Sequence, residues 1–91
     1  MNRQTPEQAQ FEDRLRLIVS SVPELSFGYI GNDERWGDDR LLHIWVRDLR
    51  EKNGNLVSLW CREAVRLTQE DVSKAWSAVN GFRVALRLAR Q

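Results

Sequence analysis

The sequence predicts an α+β domain in which two helices cover one face of a four-stranded sheet, mixed but mostly antiparallel, in the order α-β-β-β-α-β. Three observations carry that expectation. A Thr-Pro-Glu-Gln start precedes an apolar stripe at helical spacing. An Asn53-Gly54 pair separates two alternating arms, and residues 82–88 alternate with period two after Asn80-Gly81.

In the first helix Thr5 is the cap, Pro6 suits the first helical position and Gln8 completes a capping box. Phe11, Leu15, Ile18, Val19 and Val22 then recur on one side, Glu12, Asp13, Arg14 and Arg16 fall mostly off it, and Pro23 ends the helix. Residues 25–30, LSFGYI, are short, aromatic-rich and bounded by Pro23 and Gly31, which reads as a strand with Leu25, Phe27 and Tyr29 on one side. Residues 31–39 read as a polar loop, and residues 40–49 and 56–62 as the arms of a hairpin. A type I′ turn needs positive φ at both central positions, so Asn53-Gly54 is the chain's strongest short-range signal.

The segment LTQEDVSKAWSAVNG reads as the second helix. Thr68 caps it, Leu67 staples onto Val72, and Gln69, Glu70 and Asp71 suit the positive end of the helix dipole. Val72, Ala75, Trp76 and Val79 follow a helical period. If that helix continued, Arg83, Arg87 and Arg90 would lie on the side of Val72 and Trp76. A strand instead sets Phe82, Val84, Leu86 and Leu88 on one face and Arg83, Ala85, Arg87 and Ala89 on the other. The strand is the expectation, with Gly81 closing the helix in a left-handed conformation and a right-handed crossover setting the fourth strand parallel to the third. The competing helix rests on the good propensity of Ala, Leu and Arg.

At 91 residues and 42% hydrophobic content, residues 1–91 read as one domain that buries roughly 60–65% of its unfolded surface. With 14 basic against 13 acidic residues, no global field draws it to nucleic acid or an anionic membrane. The charge is uneven: residues 31–39 hold four acids and one Arg, residues 83–90 three Arg and no acid. Cys61 is the only cysteine, which excludes an internal disulfide and a cysteine-based zinc framework and fits a reducing compartment. The start MNRQTPEQ lacks an apolar signal core and no stretch has the length of a membrane span, so the expected location is cytoplasmic.

A two-residue turn sets Trp45 opposite Arg62 and Arg47 opposite Trp60, a diagonal of indoles and guanidiniums worth about 0.5–1 kcal/mol per exposed pair. The opposite face collects Leu42, Ile44, Val46, Val57, Leu59 and Cys61 and seats both helices, leaving the Trp/Arg face uncovered. The leading expectation is an interaction or regulatory domain that self-associates, a homodimer first, sheet against sheet through Leu41, Trp45, Leu49, Leu56 and Trp60, or that binds a protein partner there. The alternative is a nucleic-acid or planar-ligand module in which indoles stack on a base and Arg47, Arg62, Arg83 or Arg87 meets phosphate. A plainer reading has the Arg stems simply covering the rings.

His43, on the same face, is the centre of a third expectation, a small enzyme or a titrating switch. No second His, no sequence-paired Ser or Cys and no glycine-rich phosphate loop accompanies it, so no catalytic residue, cofactor or metal is assigned. Asp33, Glu34, Asp38 and Asp39 offer oxygens to a hard cation without the spacing of an EF-hand, and Trp36 among them packs the loop down or serves as a protruding anchor. Cys61 reads as a buried core thiol.

Overall fold

The computed structural model describes residues 3–30 and 41–91. Its elements are α1 (Pro6–Ser20), β1 (Leu25–Ile30), β2 (Leu41–Arg50), β3 (Leu56–Glu63), a 3-10 turn over Ala64–Arg66 and α2 (Gln69–Ala89). The α+β class stands. Among the described residues the sheet has three antiparallel strands in the order β1-β2-β3, not four.

The capping box at the start of α1 is complete: Thr5 Oγ1 accepts from the Gln8 N–H at 3.1 Å, and Gln8 Oε1 accepts from the Thr5 N–H at 2.9 Å. At α2 the reciprocal partner of Thr68 is Asp71, whose carboxylate accepts from the Thr68 N–H and hydroxyl, each at 2.9 Å. α2 then runs through Gly81 to Ala89, so the expected fourth strand is instead the second half of this helix. The physical reason lies in Trp76. It is 55% exposed, so the side of α2 shared by Trp76, Arg83 and Arg87 is a solvent side and places no burden on the arginines. The true core stripe is Val72, Ala75, Val79, Phe82 and Leu86, at alternating spacings of three and four. Gly81 lies on the exposed side with nothing within 4 Å of an added Cβ, and the helix tolerates it.

Cross-strand rows show how the layers meet. Tyr29, Leu42 and Arg62 form one row, and Phe27, Ile44 and Trp60 another. Both point to the helices. Tyr29 donates to Glu12 of α1 at 2.8 Å, and Arg62 donates to Asp71 of α2 at 3.2 Å, so two polar ties anchor the two helices to the same face. Glu12, 6% exposed, also accepts from Gln4 at 3.0 Å and Arg16 at 3.2 Å, which satisfies a carboxylate that burial alone would penalise. Between these ties Leu15, Leu42, Ile44, Ala64 and Ala75 are fully buried, with Leu25, Leu67 and Val79 beside them.

The hairpin forms with a different register. The Glu51 N–H donates to Asn55 O, the Gly54 N–H donates to Glu51 O, and Gly54 has φ 86°, so the loop is Lys52-Asn53-Gly54 with one left-handed residue. That is the three-residue loop with a glycine bulge. Farther along, Asp48 has φ 61°, and the residues of β2 from Val46 to Leu49 lie against Val57 alone. A bulge follows: Trp45 pairs with Ser58 and Ile44 with Trp60, leaving Leu59 as the extra residue, and both Leu59 and Trp60 pack on the core. These three irregularities turn Trp60 and Arg62 to the helix side. They also turn Cys61, expected in the core, to the opposite face, where it is exposed.

Candidate functional site

The residues singled out in the sequence fall in three places. On the sheet face away from the helices, the rows Gly28–His43–Cys61 and Ser26–Trp45–Ser58 bring His43 and Trp45 together. Their rings stack with centroids 5.2 Å apart and 29° between planes. The indole also covers Gly28, where an added Cβ would lie 2.9 Å from Trp45 Cη2. Trp45 is therefore folded onto the sheet and does not stand out from it.

His43 is 4% exposed. Its Nε2 lies 2.8 Å from Ser58 Oγ, and its buried Nδ1 has no hydrogen-bond partner among the described residues. Burial pushes the imidazole below its ordinary pKa, which keeps it neutral at pH 7. A hydroxyl against a ring nitrogen is the start of a nucleophile–base pair. Among the described residues no carboxylate stands at Nδ1 to orient the ring as in a triad. The contact ties β2 to β3.

On the helix side, Trp60 is half-buried against the core, and Arg62 is committed to Asp71, so neither joins Trp45. The expected Trp/Arg checkerboard is not formed. Arg47 lies at the end of the sheet, its Nε donating to Ser26 Oγ at 3.1 Å. Beside it a mainly apolar groove of ≈ 440 Å³ opens between Val46, Asp48 and Leu49 of β2 and Phe82 and Leu86 of α2.

The third place surrounds the turn after α1. Arg83 and Arg87 of α2 and Arg90 just after it line, with Ser21, Pro23 and Glu24, a hollow of ≈ 520 Å³. Arg90 pairs with Glu24 at 2.9 Å. Glu24's own backbone N–H, and then the Arg90 guanidinium, hold its carboxyl below the ordinary carboxylate range. Arg83 and Arg87 are exposed and make no hydrogen bond or ion pair among the described residues. Trp36 and the acidic residues 33–39 lie outside the described residues.

Sequence reasoning missed Ser58, Glu24 and Arg90, and it named Leu49 for the sheet face, whereas the residue lines the groove under α2. Asp71 was within reach, because Thr68 with an acid three residues later is itself a capping signal. Glu24 and Arg90 are 66 residues apart and share no local pattern that could have paired them. Among the described residues no helix is long and apolar enough to cross a membrane, and no three His, Cys, Asp or Glu side chains group as metal ligands. No family model, curated protein or solved structure matches the chain.

Proposed function

We propose that this chain is a small interaction domain that pairs with a second copy of itself through the groove beneath the second half of α2. The observation that supports this reading is the unfinished stripe of that helix. Phe82 and Leu86 follow Val72, Ala75 and Val79 at the same spacing, yet they are only half covered, and Leu49 across the groove is 51% exposed. In a domain this small, an open apolar groove is a liability that association removes. A second copy suits the groove because Arg47 and Asp48 adjoin on its rim. A two-fold axis there sets each Arg47 against the other copy's Asp48 while the apolar walls meet. The sheet face is the weaker interface, since Trp45 lies flat on Gly28 and His43 and Trp60 faces the helices.

Sedimentation velocity at micromolar concentration tests the proposal. The wild-type chain should sediment as a dimer. Leu49→Lys, at an exposed position, should shift it toward monomer with its melting temperature unlowered, whereas Trp45→Ala should leave the dimer in place. A wild-type monomer at every concentration, or a dimer broken by Trp45→Ala and not by Leu49→Lys, refutes the groove interface.

A further inference from the structure

From the hollow at the end of α1 we infer a binding site for a phosphate group, held by the guanidiniums of Arg83 and Arg87. It uses other side chains than self-association does: Arg83 and Arg87 line only the hollow, Leu49 and Phe82 only the groove, and Pro23, Glu24 and Leu86 border both. The two residues are one helical turn apart, a spacing that lets both forks reach one tetrahedral anion.

The first question is whether these cations already have work to do. The end of α1 is a negative dipole end that surface arginines commonly serve. Three of its last four carbonyls, and that of Val22 in the turn beyond, are taken locally, however. Ser20 Oγ donates to Leu17 O at 2.8 Å and Ser21 Oγ to Ile18 O at 2.7 Å. The Val22 N–H donates to Val19 O at 3.0 Å, and the Leu25 N–H to Val22 O at 3.1 Å. The one acidic side chain among the residues lining the hollow, Glu24, is matched by Arg90. Arg83 and Arg87 are thus left as two uncompensated positive charges beside a concavity large enough for a pyrophosphate.

Two sources of phosphate fit this chemistry: a compact phosphate ester or pyrophosphate, and the backbone of a single-stranded nucleic acid. The second source makes a further demand, and α2 meets it. Trp76, Asn80, Arg83 and Arg87 fall within about 60° of arc on the helix, and Trp76 precedes Arg83 by about 10 Å along the axis. A half-exposed indole in line with two free guanidiniums is the pairing of stacking platform and backbone clamp that single-strand binders use.

Isothermal titration of the full chain in low salt, with inorganic pyrophosphate and separately with a short single-stranded oligonucleotide, tests the site. Binding of either probe is expected. Arg83→Gln with Arg87→Gln should weaken it about tenfold or more and leave the melting temperature unchanged, since both side chains lack internal partners. For the oligonucleotide, the slope of log affinity against log salt should fall by about 0.7 per arginine removed. If Trp76→Ala weakens the oligonucleotide alone, the phosphate is that of a nucleic-acid strand; if pyrophosphate binds as tightly and Trp76→Ala changes neither, it is a compact ligand. Either result sustains the site. Failure of both probes to bind below about 1 mM, or binding that survives the double Arg variant, overturns it.

Discussion

The two halves of α2 carry one apolar stripe and meet different surroundings. Val72, Ala75 and Val79 are buried in the core, Phe82 and Leu86 are half covered, and Val84 and Leu88 on the far side are 47% and 63% exposed. The first half is fixed at its start by the Thr68–Asp71 box and by Arg62 from β3. The second half runs toward the turn after α1, where the Arg90–Glu24 pair at the surface is its one side-chain polar tie among the described residues. Helical spacing is a property of the segment, whereas cover is a property of what lies beneath it. The contrast assigns stability to the first half and leaves the second free to meet other molecules.

The largest effect that sharpens this contrast comes from placing a charge in each half. Val79→Asp places a carboxylate without a partner in the core and should cost about 3–5 kcal/mol in urea unfolding, a large share of the whole stability of a small domain. Val84→Asp, five residues further along the helix and exposed, should stay within about 0.5 kcal/mol of wild type. Equal losses at the two positions would erase the distinction.

Acid should act on the central block before it acts on the projecting half. His43 is neutral in the folded state and has a lowered pKa, so the unfolded chain binds its proton first as pH falls. The stability linked to this group is fully present above the unfolded value of about 6.5 and declines as pH drops through the lower folded value. Urea midpoints measured from pH 7.5 down to pH 5 should therefore fall, and His43→Gln should flatten that part of the curve.

The smallest change lies at the junction of the halves. Gly81→Ala meets no neighbour within 4 Å and should stabilise α2 by about 0.5–1 kcal/mol, read from thermal melts. A destabilised Gly81→Ala would mean that the helix is not continuous there.

Much of the fold was legible because its signals are local. Thr5 with Gln8, Thr68 ahead of Val72, and the Asn53-Gly54 turn each depend on residues a few positions apart. The end of α2 was misread because Phe82 and Leu86 belong to the buried stripe while Val84 and Leu88 are solvent-facing, and together the four imitate strand alternation. Taking Trp76 as inward-facing completed the error. The register was beyond reach for a different reason. An extra residue such as Leu59 leaves the alternation of either arm intact when read alone, and only pairing with β2 reveals it. Of the candidate residues, Arg83 and Arg87 remain available for binding, while Arg62 was claimed by Asp71, a partner on another element.

The bulge at Leu59 has a consequence for how the molecule behaves in a crowded solution. Among the described residues β3 is an edge strand, eight residues long, with one side of its backbone ladder unpaired. A flat edge of that length is a template on which other chains stack into fibrils. The extra residue bends the strand and increases its twist, and the irregular stretch around Asp48 interrupts the ladder on β2 beside it. An incoming strand meets a curved rail with changing spacing. The same irregularity that turned Trp60 inward thus guards the sheet against open-ended growth.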